Sequence, residues 1–444
     1  MPSLGADRSP LRIVLCPPDF LPFREASQGK PVDATYVIQS QLAQRLSARA
    51  NQLTILSTQS NTDIICATDI ERPQVAPRSF SNRRWFSLAG KASWKAQQAV
   101  GIPYLNVFSN IRLYDAALQC LPGNDLVYER NSLYRTGIAT ASRKLGIPYV
   151  LYIEADEVLE FDIMGRPLMG LLRRRALHGI GHNLRAADHI VCVSEQLKQH
   201  LVRRWKAPAE RIDVFSNVAD TDKFRPDEVA RAEIRAEFGL GDSPLVVFVG
   251  QFYQWHDVGT LLSAFAGLSA ARPNARLLLV GDGDTRKRMA QQATNLGIGD
   301  RVHFTGSVPH GSVPRYLAAA DVAVVPYPPL PVDVWLSPLK LFEYMACGLA
   351  IVASATGQVV EVIQNGHNGL TVAPGDSSTM GQAINRLLDD DVFRAQMGHQ
   401  ARHDAVTSHS WTLYIERLET LFRKIIDDAA RHRTARGDRG YARL

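Results

Sequence analysis

One short segment in the last third of the chain, SPLKLFEYMACG, combines residue types that could bind an anion. Ser337 is typical of a helix N-cap, Pro338 of a first helical position and Gly348 of a helix end. The pattern predicts a short helix with Lys340 in its first turn, where the helix dipole disfavours a cation. An anion held by the ammonium and the first-turn amides would remove that conflict.

Glu343 follows Lys340 by one helical turn. A carboxylate at that spacing can accept hydrogen bonds from two vicinal hydroxyls while the lysine binds phosphate oxygens, which would match the ribose and diphosphate of a nucleotide sugar. The alternative is a surface pair of Lys and Glu that contributes only a few tenths of a kcal/mol. The spacing alone leaves both interpretations open.

Glycines follow three successive apolar runs in the second half, at the positions where open parallel sheets bind ligands. Gly250 and Gln251 follow LVVFV, GDGDTRKR with Asp282 and Arg286 follows RLLLV, and TGSVPHG follows VHF. Glycine lets the backbone approach a ligand closely, although it is also a common residue at strand exits. With the lysine-bearing helix, the glycines favour a phosphate-containing ligand. The NAD fingerprint and the GxxxxGK[ST] motif are both absent from the sequence.

Short runs rich in Val, Ile and Leu alternate with helix-like segments along the chain, which predicts an α/β protein with parallel sheets. The pattern restarts after SNVADTDKFRPDE and indicates two doubly wound units, residues 1–225 and 226–408. Residues 409–430 are predicted to be a C-terminal helix, because residues 411–430 have the apolar spacing of an amphipathic helix, and the basic tail 431–444 is predicted to be mobile. The predicted strands of the first half are 12–16, 53–56, 126–128, 149–153, 190–193 and 212–215, and those of the second half are LVVFVG, RLLLVG, VHFTG, VAVVP, AIVAS and GLTVA.

Composition limits the possible partners. The chain has 444 residues and a net charge of +6, a small excess that does not by itself imply nucleic acid. Its five cysteines include no CxxC pair, so neither a disulfide framework nor a zinc site is predicted, and a reducing cytoplasm fits best. The pair of His178 and His182 is not expected to bind a metal.

No run of about 20 apolar residues is present, so any membrane association is predicted to be peripheral, on the cytoplasmic face. The segment SNRRWFSLAGKASWKAQQ, residues 81–98, interleaves basic and aromatic residues in a way that suits a lipid headgroup surface or a polyprenyl-linked acceptor. A solvated loop is the alternative.

Several ordered pieces resemble the family four retaining glycosyltransferases of the GT-B fold. In the second half, 245–421, they include LLLVGDGDTRKRM, SPLKLFEYMACGLAIVAS and GQVVEVIQNGHNGLTVAPGD; in the first half they include DLVYERNSLYRTGIATASRKLGIPYVLYIEAD. The resemblance implies two Rossmann-like domains facing across a cleft, with a C-terminal helix that crosses back to the first domain. It also implies transfer of a sugar, with retention, from a nucleotide-diphosphate sugar to a hydroxyl of a saccharide or lipid-linked acceptor, without a metal.

The resemblance also assigns roles to residues. Glu343 would bind the donor ribose, and Val308 would lie at the base. Independently of the resemblance, the end of the strand YVLYIEAD is expected to place Glu154 and Asp156 at the cleft between the two units, as acceptor contacts or as a base; the alternative is that they cap a loop or meet solvent. The diphosphate or the transferred sugar would meet Lys340 and the remaining donor-side residues, which are Gly250, Gln251, His256, Asp282, Arg286, Trp335, Ser337, Pro338 and Leu339.

The chain departs from the family pattern at several of these positions. Trp335 stands where the family usually has a glutamate, Gln251 and His256 replace an arginine and a lysine, and Asp257 replaces a glycine found in some members. These departures favour, as an alternative, a catalytically silent homologue that acts as a binding or partner subunit. A nucleotide-sugar hydrolase or epimerase on the same fold is a further alternative.

Overall fold

The first half of the protein forms an eight-stranded sheet with the strand order β4-β3-β2-β1-β5-β6-β7-β8. The computed structural model describes residues 9–60, 62–102, 105–330 and 337–441, with side chains up to residue 431. The six predicted strands of this half are confirmed, and they pair in parallel. The strands are β1 Arg12–Cys16, β2 Gln52–Thr58, β3 Ile64–Ala67, β4 Gln74–Val75, β5 Leu126–Arg130, β6 Tyr149–Ile153, β7 His189–Cys192 and β8 Ile212–Val214.

Two strands of this sheet were not predicted. β3 and β4 pair antiparallel at the edge beyond β2. They contain four and two residues, which is too short for alternation or an apolar run to stand out from the surrounding loops. Apart from this edge, the parallel sheet is as expected.

The second half forms a six-stranded parallel sheet with the order β11-β10-β9-β12-β13-β14, and all six predicted strands are present. In β9, Val247 and Val249 belong to one core layer while Val246 and Phe248 belong to the other. A strand buried on both faces requires helices on both sides, so the doubly wound prediction is confirmed. The strands are β9 Leu245–Val249, β10 Arg276–Val280, β11 Val302–Gly306, β12 Val322–Val325, β13 Ala350–Ser354 and β14 Leu370–Val372.

Seventeen α-helices pack against the two sheets in the described part of the chain. The predicted boundary near 224–228 lies in the connection between β8 and α9, and the domain limits themselves stay a prediction. The helices are α1 Phe20–Ser27, α2 Ala34–Ala48, α3 Arg84–Ala99, α4 Val107–Cys120, α5 Gly137–Leu145, α6 Glu157–Ile163, α7 Gly170–Ala186, α8 Glu195–Trp205, α9 Glu228–Glu237, α10 Val258–Ala271, α11 Arg286–Asn295, α12 Val313–Ala318, α13 Leu339–Ala346, α14 Val359–Val362, α15 Ser377–Asp389, α16 Asp391–Ser408 and α17 Trp411–Tyr441.

The last helix, α17, crosses back to the first half, as predicted. Leu418 and Phe422 are buried in the core of that half, where the ring of Phe422 meets Tyr128 edge-on at 5.4 Å. Glu419 accepts a hydrogen bond of 2.7 Å from the side chain of Asn51. The helix continues to Tyr441, so its predicted end at residue 430 is too early; residues 431–441 contain no proline that would interrupt it.

Every helix in the described ranges is too short or too polar to cross a lipid bilayer.

Candidate active site

The helix that carries Lys340 and Glu343 begins slightly later than the sequence pattern predicts. Pro338 is the N-cap of α13, and Leu339 is its first residue. Ser337 is not the cap: its hydroxyl accepts a hydrogen bond from the backbone N–H of Asn217 at 3.1 Å, and its carbonyl accepts one from the Asn217 side chain at 2.6 Å. The residue therefore fastens the start of α13 to the segment that joins the two halves.

The ammonium of Lys340 is buried and has no hydrogen-bond partner within the part of the chain that the structure describes. Its Nζ lies 4.2 Å from the centre of the Phe248 ring. Burial lowers the pKa of Lys340 to about 7, against the opposing effect of the charge on Glu343. A buried cation without a hydrogen-bonding partner is costly unless an anion binds beside it.

Glu343 is also buried, and it has a partner that the sequence analysis did not identify. Its Oε1 accepts a hydrogen bond of 2.6 Å from Nε2 of His310. Burial alone would lower the pKa of His310, but the charge of Glu343 and this hydrogen bond outweigh burial and raise it. His310 lies in the TGSVPHG segment after β11, and nothing in its sequence spacing connects it to α13.

A cavity of about 610 Å³ lies between the two halves, at the carboxyl ends of their strands. Most of the predicted site residues line it, so the fold brings together side chains that are distant in sequence. From the second half these are Gly250, Gln251, His256, Asp282, Val308, Ser337, Pro338, Leu339, Lys340 and Glu343. From the first half Glu154 was predicted, and the structure adds Arg130, Glu160 and residues 31–35.

The glycines after the strands have two different roles. Gly250 has a φ of 147°, and a Cβ built on it would lie 2.7 Å from Nζ of Lys340, so the absence of a side chain leaves room for the ammonium. Gly281 has a φ of 136°, and its Cβ would lie 2.0 Å from the carbonyl oxygen of Gly250. Both glycines line the cavity, but Gly281 is required for the two loops to pack together, whereas Gly250 leaves room for the ammonium of Lys340.

Gln251 and His256 do not add positive charge to the cavity. The Gln251 side chain crosses to the first half and donates a hydrogen bond of 2.8 Å to Oδ1 of Asp33. Nδ1 of His256 donates to the carbonyl of Gln251, since a carbonyl oxygen can only accept. Burial, with the charge of Lys340, lowers the pKa of His256 to about 3, so the imidazole is neutral at physiological pH.

Arg286, a further predicted donor-side residue, does not line the cavity. Arg286 was predicted to face the diphosphate, but its guanidinium packs 5.8 Å from the ring centre of Phe304, and its Nε lies 3.9 Å from Oδ1 of Asp282. It is not among the described residues that line the cavity. Trp335 lies outside the described residues.

On the opposite side of the cavity, Glu154 is held by the first half. Its Oε2 accepts hydrogen bonds from the hydroxyl of Thr35 and from Nη2 of Arg130, the latter at 3.0 Å. Arg130 also donates to Glu157 at 3.2 Å. Burial raises the pKa of Glu157 and of Glu160 to about 7 each. This group of carboxyls around one guanidinium could accept hydrogen bonds from hydroxyls of a second substrate.

The prediction that Asp156 contacts the acceptor is wrong. Asp156 is fully buried, and its Oδ1 caps α6 by accepting a hydrogen bond of 3.2 Å from the backbone N–H of Leu159. Its Oδ2 accepts from Nε2 of His200 and Nε1 of Trp205, both at 2.9 Å. Burial alone would raise the pKa of Asp156, but these donors outweigh it and lower the pKa. The residue has a structural role because both oxygens are already engaged.

Two family models match the chain: glycosyl transferases group 1 over residues 230–404, and glycosyltransferase family 4 over residues 38–223. Among relatives, the chain is 30% identical over 250 residues to the GDP-mannose-dependent alpha-(1-6)-phosphatidylinositol monomannoside mannosyltransferase of Mycolicibacterium smegmatis, a match that covers 56% of this chain and 64% of that protein. It is 26% identical over 294 residues to the alpha-D-kanosaminyltransferase of Streptomyces kanamyceticus, covering 64% and 72%. The chain thus spans less than two thirds of the mannosyltransferase.

Two solved structures resemble the whole fold. Sucrose-phosphate synthase from Thermosynechococcus elongatus has a TM-score of 0.65 at 19% identity and covers 94% of this chain and 100% of its own. Anabaena HepE, in complex with UDP and glucose, has a TM-score of 0.64 at 18% identity and covers 93% and 99%. At these identities the likeness concerns the fold, and it confirms the GT-B architecture that the sequence resemblance implies.

Proposed function

This chain belongs to the family 4, group 1 glycosyltransferases of the GT-B fold, and we propose that it transfers a sugar from a nucleoside-diphosphate sugar to a hydroxyl of a saccharide or lipid-linked acceptor, with retention. The observation that carries this proposal is the buried ammonium of Lys340, which has no hydrogen-bond partner among the described residues and lies one turn before Glu343 in the cavity between the two halves. A diphosphate would neutralise the ammonium, and a ribose would supply hydroxyls to Glu343.

The relatives support this donor class. One is named as GDP-mannose-dependent, and HepE was solved with UDP and glucose. The two nucleotides differ in their base and share the ribose and the diphosphate, which are the parts proposed to meet Glu343 and Lys340. Val308, Trp255 and Tyr327 line the same cavity and provide apolar surface that could contact a base or a sugar.

In the proposed reaction, the bond between the anomeric carbon and the diphosphate oxygen breaks while the acceptor oxygen bonds to the same face of that carbon. The proton of the acceptor hydroxyl passes to the departing diphosphate. Lys340 stabilises the charge that develops on the diphosphate, and Glu154, fixed by Arg130 and Thr35, orients the acceptor hydroxyl. Electrostatic stabilisation and positioning are thus the contributions of the protein.

We propose that the nucleotide sugar is the only co-substrate and that no metal takes part, because Lys340 already supplies a cation where the diphosphate would lie. The rate should then be unchanged by a chelator such as EDTA. A loss of activity that added Mg²⁺ or Mn²⁺ restores would contradict this part of the proposal.

The acceptor side of the proposal includes membrane-linked substrates. The mannosyltransferase relatives are named for phosphatidylinositol mannosides. We propose that this chain acts at the cytoplasmic face of a membrane when its acceptor carries a lipid, with contact through residues 81–98.

Release of nucleoside diphosphate distinguishes the proposed activity from its alternatives. The purified protein is given GDP-mannose, UDP-glucose or UDP-N-acetylglucosamine, with and without saccharide acceptors, and Lys340→Met serves as the inactive control. A transferase releases diphosphate faster when acceptor is added. Release that is equally fast without acceptor would instead indicate a hydrolase.

A catalytically silent binding subunit is the main alternative. Gln251 and the neutral His256 stand where the family pattern has an arginine and a lysine, so the region proposed to bind the diphosphate has fewer positive charges. Such a protein would show thermal stabilisation by a nucleoside diphosphate without turnover. Stabilisation without turnover for every donor and acceptor tried would overturn the proposed reaction while preserving the binding site.

A further inference from the structure

The region around α3 has an unusual charge composition. Between Glu71 and Asp115, residues 72–114 contain seven Lys and Arg residues and no Asp or Glu. The whole chain has 50 basic and 44 acidic residues, so this separation of charge is local. Unmixed positive charge on one segment is typical of a surface that meets an anionic partner.

The inner face of α3 is fixed to the first half. Phe86 is buried and meets the ring of Phe108 in α4 edge-on at 5.1 Å, with the guanidinium of Arg112 5.3 Å from its centre. A Cβ on Gly90 would lie 3.3 Å from the Phe108 ring, so the two helices are closely packed there. The side chain of Gln97 accepts a hydrogen bond of 3.1 Å from the backbone N–H of Leu105. These contacts leave the opposite face of α3 towards solvent.

That outer face combines positive charge with large apolar side chains. At about 100° per residue, Arg84, Leu88, Lys91 and Lys95 form one stripe opposite Phe86, and all four are exposed. Leu88 is 66% exposed in the middle of the stripe. We define the α3 surface as this stripe together with the two tryptophans beside it, Trp85 and Trp94, which are 58% and 44% exposed.

We propose that the α3 surface binds an anionic lipid bilayer, with the helix lying parallel to the membrane. Exposed tryptophan rings suit the boundary between headgroups and acyl chains, and lysine and arginine beside them attract anionic headgroups. Leu88, at the centre of the basic stripe, favours lipid over nucleic acid, because a phosphate backbone offers it no apolar contact.

Bilayer binding through α3 would bring the first half of the protein, which carries Glu154, next to lipid-linked substrates. This consequence rests on the proposed transferase function, whereas the binding itself does not. The two can therefore be tested separately.

The test is flotation of the full-length protein with vesicles of phosphatidylcholine alone or with about one third phosphatidylglycerol, at physiological ionic strength. Binding should require phosphatidylglycerol. Lys91→Glu/Lys95→Glu should weaken it at least about 20-fold, since each basic residue near an anionic surface contributes roughly five-fold. Trp85→Ala/Trp94→Ala should also weaken it.

The matched control is Lys287→Glu/Arg288→Glu, which reverses two exposed basic residues on α11 of the other half and should leave binding unchanged. Circular dichroism establishes that each variant is folded. Absence of binding by the unmodified protein, equal binding to phosphatidylcholine, or undiminished binding by Lys91→Glu/Lys95→Glu would overturn the proposal. Tighter binding to duplex DNA than to anionic vesicles would overturn it as well.

Turnover with a water-soluble saccharide acceptor separates this inference from the proposed function. Lys91→Glu/Lys95→Glu should transfer sugar to such an acceptor at the unmodified rate. If the protein does not bind vesicles but transfers sugar to the soluble acceptor, only the membrane inference is wrong. If the protein binds vesicles through the α3 surface but turns over no donor, the membrane inference is supported and the transferase proposal is wrong.

Discussion

Nε2 of His310 donates a hydrogen bond of 2.6 Å to Oε1 of Glu343 and joins the loop after β11 to α13. Both side chains are largely buried and line the cavity between the two halves. The charge of Glu343 outweighs the burial of His310 and raises the pKa of its imidazole. The carboxylate is therefore held in place by a residue from another strand end, and its orientation depends on that residue.

Glu343→Gln should weaken binding of a nucleoside diphosphate by about 10- to 100-fold, because a charge-assisted hydrogen bond to the ribose is lost. His310→Asn should cost less, about 10-fold, since it acts through the orientation of Glu343. Titration calorimetry on the two single variants and the double variant measures the coupling. Fully additive losses would show that His310 does not position Glu343.

Lys340→Met should stabilise the ligand-free protein while it abolishes transfer. The buried ammonium, whose pKa falls from its ordinary value of 10.5 to about 7, destabilises the empty protein. Replacing it with an apolar side chain of similar length should raise the free energy of unfolding by roughly 2–4 kcal/mol at pH 6. Denaturant titration measures this gain. Leu341→Ala, on the same helix and fully buried, is the control that should instead lose about 2–5 kcal/mol.

Binding of a diphosphate should take up protons above pH 7. In the empty cavity Lys340 loses its proton as the pH rises through about 7, and a bound diphosphate would favour the charged form and raise the pKa. Calorimetry in buffers of different ionisation enthalpy should detect uptake of about one proton at pH 8 and almost none at pH 5.5.

The same pKa shift sets the sign of the stability change with pH. Between pH 7 and 10.5 the unfolded chain binds more protons at Lys340 than the folded chain, so this residue's contribution to stability rises with pH in that range. Lys340→Met should lose both this dependence and the proton uptake. Proton uptake that persists in Lys340→Met would assign it to another group, such as Glu160 or Glu157.

The strands of the second half could be predicted because each one is recognisable from a short segment of the sequence. A parallel strand covered on both faces needs a continuous apolar run, and LVVFV and RLLLV satisfy it without reference to the rest of the chain. The edge strands β3 and β4 were missed because an edge needs so few residues. The arrangement of the two halves across a cleft was predicted from the family resemblance, because the hydrophobic periodicity of the sequence does not show how two sheets are placed.

The side-chain roles in the site were harder to predict because they depend on distant partners. Ser337 has the residue type of an N-cap, but hydrogen bonds with Asn217, 120 residues away in sequence, determine its position. Asp156 follows Glu154 by two residues, yet His200 and Trp205 engage it inside the first half. Sequence analysis could place both carboxylates at a strand end, but only the packing of α8 shows which one faces the cavity.

Asp156→Asn should therefore mainly affect stability, whereas Glu154→Gln should mainly affect the rate of transfer. Asp156→Asn should lower the free energy of unfolding by about 2–4 kcal/mol and leave the turnover rate of the folded fraction nearly unchanged, because it removes a buried carboxylate that accepts three hydrogen bonds. Glu154→Gln should lower stability less, because the Glu154 side chain is partly exposed whereas that of Asp156 is fully buried, and it should slow transfer about 100-fold or more. Denaturant titration and single-turnover kinetics measure the two quantities.

A pH titration adds a readout for Asp156. Its pKa is lowered in the folded state, so the stability that it contributes is present above its ordinary pKa of 3.8 and is lost as the pH falls through the folded value. Asp156→Asn should flatten this acid-induced loss. Unchanged acid sensitivity together with slowed transfer would mean that Asp156, and not Glu154, serves the acceptor.

Gly250→Ala should remove donor binding without unfolding the protein, because the new Cβ would lie 2.7 Å from Nζ of Lys340 and the ammonium must move. The φ of 147° adds backbone strain on the order of 1–3 kcal/mol. Gly267→Ala is the matched control: this exposed glycine lies within α10 with open space around it, so alanine should stabilise the protein by about 0.5–1 kcal/mol. Thermal shift with and without a nucleoside diphosphate measures both effects. A Gly250→Ala protein that melts near the unmodified temperature and still gains full stabilisation from the ligand would show that the diphosphate does not use the position of Lys340 above this loop.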